Sequence, residues 1–411
     1  MRVELVTIGT ELLLGFTVDT NGAWIGRALA DQGIELVRRT AVPDEFAAIR
    51  EGVAEALART GTVITTGGLG PTRDDITKAA VAAVFGRRLE FDPAIWDELV
   101  ARYARLGRPL SEANRPQADR PEGATVLPNP RGTAPGLWIE GTPGLVVMLP
   151  GVPREMRGLM TEQVLPRWAG AGTAMVIRSR TLRTAGIPES NLAARIGDAE
   201  SQIAPVSLAY LPDVTGVDLR LTAWNLPAAE ADRRLAEAAG LIRERAGGHV
   251  YAEGDTDLAE VVLQRLRSQG LRIGVAESCT GGLLGGRITA VPGSSDVFAG
   301  GIVPYDNRFK TSLLGVSAEL LQEHGAVSEP VAAALAEGAA RNFAAPVAVG
   351  ITGIAGPGGG TPEQPVGTVW FGFVTPGRSW TERVVFPGNR GEIRARTVQY
   401  ALVALHRGLG T

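Results

Sequence analysis

The chain has 411 residues, more than one hydrophobic core usually organises, so two or three domains are expected. Charged side chains make up 21% and the net charge is −3, which excludes a basic field steering the whole protein to nucleic acid or to a membrane surface. A single cysteine excludes an internal disulfide, three scattered histidines (His249, His324, His406) give no zinc-ligand spacing, and no apolar run approaches a membrane span; a soluble, cytoplasmic protein without a signal segment is expected.

Short apolar strands alternate with amphipathic helices from the first residues: a strand over Val3–Ile8, a helix from Thr20 to Gln32, a strand over Glu35–Thr40, a helix from Asp44 to Arg59, a strand over Val63–Thr66 and a helix from Asp75 to Phe85. That alternation predicts a mostly parallel sheet covered on both faces. A strand over Leu145–Leu149 leads through Pro150-Gly151-Val152-Pro153 into a further helix, and the first domain is expected to end between Arg167 and Gly172. A small α+β module follows, with strands over Met175–Thr184, Val206–Leu211 and Val217–Ala223 and helices over Glu189–Ile196 and Ala228–Ala246. Gly247–Asp255 reads as a linker, after which a helix, Leu258–Gln269, and a strand, Leu271–Ala276, open a third domain. The expected organisation is therefore residues 1–170, 171–250 and 251–411.

The loops of the first domain carry its chemistry. Thr65 to Lys78 runs from the end of a strand into a helix, and Gly67, Gly68 and Gly70 let the backbone approach a ligand closely while the following amides point at an anion. Lys78 and Thr72 lie within reach of such a ligand; Asp74 and Asp75 either hold a divalent cation or cap the helix. Gly9 to Gly15 and Val42-Pro43-Asp44 would end at the same sheet edge. None of these loops has Walker A or dinucleotide-fingerprint spacing, so spacing alone indicates an anionic ligand.

Of the 41 cationic side chains only two are lysine, Lys78 and Lys310. An ammonium, unlike a guanidinium, can lose its proton when desolvated. Lys310 follows Ala276-Glu277-Ser278-Cys279-Thr280-Gly281-Gly282 in sequence, and a serine nucleophile with a lysine base is a known arrangement; the bland alternative is a lysine on a solvated helix face. Ser278 would sit just past a buried strand, with the N–H groups of Thr280, Gly281 and Gly282 facing an oxyanion. Tyr305 would relay the proton or hold the lysine, or else be a satisfied core aromatic. Cys279 is a rival nucleophile, but successive residues point in different directions, which favours Ser278 with Cys279 packed behind it. The loop holding Gly353, Ala355 and Gly356 suits approach of a ribose phosphate, with Arg394 or Arg396 to neutralise it.

Thr66 to Asp75, together with Gly9 to Gly15, resembles the molybdopterin-binding, MogA-like domain. Pro128 to Gly136 and Leu149 to Met156 are similar to the version of that domain in the CinA, competence/damage-inducible, family. Ala276 to Gly282, Tyr305 to Lys310, Gly325 to Ser328, Thr352 to Pro357 and Pro365 to Val369 resemble that family's carboxy-terminal domain, a nicotinamide mononucleotide deamidase. The resemblance implies an α/β chain of three domains: doubly wound and MogA-like, KH-like α+β, and an α/β amidase. It implies hydrolysis of nicotinamide mononucleotide to nicotinate mononucleotide and ammonia, without a cofactor, and an amino-terminal domain that binds and cleaves ADP-ribose with a divalent metal such as magnesium. It carries over Ser278, Tyr305 and Lys310 as catalytic, Asp44 and Asp75, with Asp74, as metal-binding, and a homodimer as the assembly. Pro304 and Asp306 depart from the residues relatives usually carry beside Tyr305. The alternative reading is a nucleotide-sensing partner in competence or damage handling. The KH-like module lacks a Gly-x-x-Gly loop between Met175 and Ala246, so nucleic acid is not expected as a partner.

Overall fold

The computed structural model describes residues 1–171 and 175–410; the last residue of the expected first-domain boundary, Gly172, lies outside the described residues. The backbone groups into two units, Met1–Arg178 with Ala223–Arg233, and Ser179–Thr222 with Arg234–Thr411, so the middle module belongs mostly with the carboxy-terminal domain. No helix among the described residues is long and apolar enough to cross a membrane.

In the first unit the pleat of strand Arg2–Ile8 splits its apolar residues between two cores. Val3 and Leu5 meet Ile25 and Leu29 of helix Thr20–Ala30, whereas Val6 and Ile8 meet Ile49 and Val53 of helix Phe46–Thr60. Glu4 lies on the same side as Val6 and Ile8; it is buried and accepts two hydrogen bonds, 2.8 and 3.0 Å, from the Arg59 guanidinium. The six-stranded sheet has the order Glu35–Val42, Arg2–Ile8, Thr62–Thr66, Gly144–Leu149, Gly136–Gly141, Thr125–Leu127. Its first four strands are parallel and its last two antiparallel, the doubly wound arrangement expected. The helix expected from Asp75 begins at Thr77, because Thr72–Ile76 forms turns in front of it. Between Leu89 and Pro121 lies an insertion absent from the sequence reading: a two-stranded ribbon, Leu89–Phe91 with Asp119–Pro121, enclosing helix Pro93–Arg105 and a 3-10 segment, Glu112–Ala118.

The middle module is a four-stranded sheet in the order Ser207–Asp213, Gly216–Pro227, Met175–Thr184, Val250–Glu253. The expected linker Gly247–Asp255 is corrected here: Val250–Glu253 pairs antiparallel with Leu182–Thr184 and so closes the module's sheet. Its four-residue length and flanking glycines hid a strand whose partner is about seventy residues earlier.

The carboxy-terminal sheet has the order Phe298–Ile302, Ile273–Glu277, Val347–Gly353, Thr368–Thr375, Arg378–Val385. Helix Glu329–Phe343 covers one face and helices Leu258–Ser268 and Arg390–Gly408 the other. Gly350 and Gly372 explain how closely the first of these lies: a Cβ on either would sit 2.4 Å from Ala336 N or 2.2 Å from Ala332 O. The architecture is thus mixed α/β throughout, with a parallel core strand at each candidate site.

Candidate active site

Strands Ile273–Glu277, Phe298–Ile302 and Val347–Gly353 run parallel, so the loops carrying Ser278, Tyr305 and Gly356 leave the same sheet edge, where open α/β sheets bind ligands. Half-buried Ser278 follows directly on the central strand, and its N–H donates to Ile351 O at 2.9 Å. The loop then folds back on itself. Gly281 N donates to Ser278 O at 3.1 Å, and the buried carboxylate of Glu277 accepts from Gly282, Leu284 and Gly285 at 3.1, 3.0 and 2.8 Å. Two of the three amides expected to face an oxyanion, those of Gly281 and Gly282, therefore have internal partners. Among the described residues the N–H groups of Cys279 and Thr280 donate to no oxygen, and the Cys279 N–H faces only its own sulfur.

Lys310 lies in helix Asn307–Leu314, whose N-cap Asp306 accepts from Arg308 N at 2.9 Å. It is 2% exposed, so the solvated-face alternative does not describe it, and its Nζ donates to Asn307 Oδ1 at 3.0 Å. Burial pushes its pKa below that of a free lysine, and the neighbouring charge of Asp306 pulls in the opposite sense. Cys279 is itself buried, which pushes its thiol up to about 12; near neutral pH it is a protonated, poor nucleophile. Tyr305 is 62% exposed, and its hydroxyl accepts from Arg390 Nη2 at 3.0 Å, so in this structure it is held by an arginine and not hydrogen-bonded to Lys310.

Arg390 also donates to Gly356 O at 2.7 Å and so ties the glycine-rich loop to Tyr305. The sequence reading missed it. Asn389-Arg390-Gly391-Glu392 is a capping box opening the last helix, a signal that would have placed Arg390 at its first turn, one turn before Arg394. Arg394, expected at a phosphate, braces the nucleophile loop through Thr280 O at 2.7 Å; its Nε and that of Arg396 are buried without a partner. Ala355 belongs to the hydrophobic core, while Gly353 abuts Thr368 O and Gly356 takes φ 75°, backbone roles that their residue types explain.

In the first unit the expected loops also gather at the carboxyl ends of parallel strands. Thr10 donates to Asp44 through its N–H at 2.8 Å and its hydroxyl at 3.0 Å, and Thr72 N donates to Asp75 at 2.8 Å. Gly67 and Gly68 are explained by the fold: a Cβ on the first would lie 2.2 Å from Ile8 O, on the second 2.1 Å from Thr77 Oγ1. One on Gly70 would lie 2.5 Å from Asp75 Oδ2. Lys78 is 5% exposed, and its ammonium donates to Pro116 O of the insertion, so it does not stand free for a phosphate as expected. Burial brings its pKa down to about 8, with Asp119 and Asp75 opposing. Asp74 is exposed, and among the described residues no three His, Cys, Asp or Glu side chains gather to hold a metal ion; Asp44, Asp74 and Asp75 do not converge. Asn21, not anticipated, ties strand ends together by donating to Thr66 Oγ1 and Gly151 O at 3.2 and 2.7 Å.

These features define a three-domain chain, with loops gathered at the carboxyl ends of parallel strands in the first domain and a serine loop beside a buried lysine in the last. Family profiles agree domain by domain: "Probable molybdopterin binding domain" over residues 4–169, "Damage-inducible protein CinA KH domain" over 179–252 and "CinA C-terminal domain" over 255–409. The chain belongs to the CinA family. It is 52% identical over 411 residues to a CinA-like protein of Gemmatimonas aurantiaca, covering 99% of this chain and 96% of that one. It is 43% identical over 392 residues to a CinA-like protein of Salinibacter ruber, covering 95% of each. The crystal structure of competence/damage inducible protein CihA from Agrobacterium tumefaciens matches with 41% identity and a TM-score of 0.36, covering 38% of this chain and 94% of that one.

Proposed function

We propose that the carboxy-terminal domain is a nicotinamide-nucleotide amidase, acting on nicotinamide mononucleotide in pyridine nucleotide salvage. The observation that carries this reading is Lys310, an almost fully buried lysine beside the Ser278 loop with one neutral hydrogen-bond partner, Asn307. Such an amine can lose its proton and act as a base. Ser278 Oγ attacks the carboxamide carbon and passes its proton to Lys310; the carbonyl electron pair moves to oxygen. Collapse of this intermediate breaks the C–N bond, and Lys310 returns the proton so that ammonia leaves. Water then hydrolyses the acyl-serine, giving nicotinate mononucleotide and free Ser278. Cys279, kept protonated by burial, does not compete. The test is ammonia release from nicotinamide mononucleotide by the full chain; no release at any substrate concentration would leave the nucleotide-sensing reading in its place.

Asp306 sets the pH range of this chemistry. A lysine base works only when unprotonated, so the rate rises as pH passes through the Lys310 pKa. The Asp306 charge favours the ammonium and raises that pKa. Asp306→Asn keeps an N-cap but removes the charge, so the acid limb of the kcat/KM profile is expected at lower pH than in the wild type. An unmoved or upward-shifted limb counts against Lys310 as the base.

For the amino-terminal domain we infer ADP-ribose as ligand, supported by the Thr10–Asp44 and Thr72–Asp75 pairs at the carboxyl ends of parallel strands. Among the described residues no three His, Cys, Asp or Glu side chains gather at this site, and the inference is confined to binding. ADP-ribose titrated into the full chain, followed calorimetrically, is expected to bind without added magnesium, and Asp44→Ala to weaken it about tenfold or more; absence of binding in the wild type removes this assignment.

A further inference from the structure

Glu277 is a buried carboxylate that the mechanism above does not use. It is 1% exposed, and among the described residues no lysine or arginine forms an ion pair with it. Its charge is instead met by three backbone N–H groups: Gly282 and Leu284 on Oε2, Gly285 on Oε1. A buried carboxylate is tolerated only when hydrogen-bonded in this way, and each such bond is stronger than a neutral one. The geometric result matters more than the energy. Glu277 ends strand Ile273–Glu277 and Ser278 begins the loop, so pulling the amides at 282, 284 and 285 back onto residue 277 bends the intervening chain into a tight return. Ser278 N is held by Ile351 O, Gly281 N by Ser278 O, and Thr280 O by Arg394. The polar constraints on this loop therefore leave two amides that no oxygen claims, Thr280 N–H and Cys279 N–H, the latter facing only its own weakly accepting sulfur.

We propose that Glu277 is a positioning residue for the amidase site: its carboxylate fixes the loop so that the N–H groups of Cys279 and Thr280 are kept from any protein oxygen beside Ser278 and receive the oxyanion. This rests on the amidase reading for its substrate. Of the donors suggested by sequence it keeps Thr280 and replaces Gly281 and Gly282 with Cys279, the residue after the nucleophile, whose N–H is also a donor in hydrolases with the serine on a strand-to-helix turn. Glu277→Gln keeps the shape but turns one oxygen into an NH2 donor, which must face at least one N–H whichever way the amide is oriented.

The test uses the full chain and two reactions. With nicotinamide mononucleotide, Glu277→Gln is expected to lower kcat about 100-fold with KM within about twofold, because an oxyanion donor acts in the transition state and not on bound substrate. With a fluorophosphonate, Ser278 Oγ forms a bond to phosphorus, fluoride leaves and the serine proton passes to Lys310; intact-mass labelling of Ser278 is expected to slow at least about tenfold in the variant, since the phosphoryl oxygen uses the same donors. If Glu277→Gln fails to fold, Gly285→Pro removes one donor to the carboxylate at a position in the first turn of helix Leu283–Thr289, and a roughly tenfold loss of kcat is expected. A variant with unchanged kcat and a lowered thermal midpoint makes Glu277 purely structural and overturns the proposal. If the wild type labels at Ser278 but does not hydrolyse the nucleotide, the substrate assignment fails and the labelling rates still decide the role of Glu277. If the wild type does not label at Ser278, the positioning role falls with the nucleophile.

Discussion

Lys310→Arg is expected to abolish ammonia release, lowering kcat by about three to four orders of magnitude, although 39 of the 41 cationic positions in this chain are already arginine. An arginine keeps the positive charge but cannot be deprotonated, so it cannot take the proton of Ser278. Because Lys310 is buried, a larger guanidinium could also disturb packing; Lys310→Met, similar in length and uncharged, separates the two effects, and the same loss of rate is expected from it. Ser278→Ala should lose at least as much, and Cys279→Ala less than about threefold. Initial rates at saturating substrate, with circular dichroism to check the fold, read all four. An active Lys310→Met enzyme would remove the base, and an inactive Cys279→Ala enzyme would reopen the choice of nucleophile.

Lys78→Met is expected to stabilise the first unit at neutral pH and to destabilise it in alkali. The pKa of Lys78 is about 8 in the folded chain against 10.5 in the unfolded one, so between those values the native state binds fewer protons and wild-type stability rises with pH. At pH 7 the ammonium is protonated in both states, and its burial costs about 3 kcal/mol. Methionine removes that cost but leaves Pro116 O without its donor, a loss of about 1–2 kcal/mol, for a net gain of about 1–2 kcal/mol. At pH 10.5 and above only the lost hydrogen bond remains, and the wild type becomes the more stable. Urea unfolding followed by tryptophan fluorescence suits this measurement, because Trp24, Trp96, Trp138, Trp168 and Trp224 belong to that unit. A variant less stable at pH 7 would mean that the ammonium is favourably held in place, as a ligand-binding group would be.

Much of the fold was legible because its strands and helices are written in two different periods. Val3–Ile8, Val63–Thr66 and Leu145–Leu149 are apolar runs bounded by turns, and each became a parallel core strand. The insertion from Leu89 to Pro121 was not legible, since its two strands have three residues each and only pairing with each other defines them. Among site residues, the chemical types of Ser278, Cys279 and Lys310 announced themselves, whereas their partners did not. Asn307, Glu277 and Arg390 act through contacts three to eight residues away or across the sheet edge, which composition does not encode. Lys78 shows the reverse case: its position in the first turn of a helix after a glycine-rich loop suggested a phosphate ligand, and a carbonyl from the unforeseen insertion claims it instead.

The two lysines were introduced as chemical exceptions, and their burial gives the molecule a further property. No lysine amine among the described residues is open to solvent, so amine-selective reagents and lysine-cleaving proteases find no lysine target in the folded chain. Unfolding creates one target in each unit, Lys78 in the first and Lys310 in the second. The wild-type sequence thus contains two single-site reporters, through which the loosening of either unit can be timed separately without any engineered label.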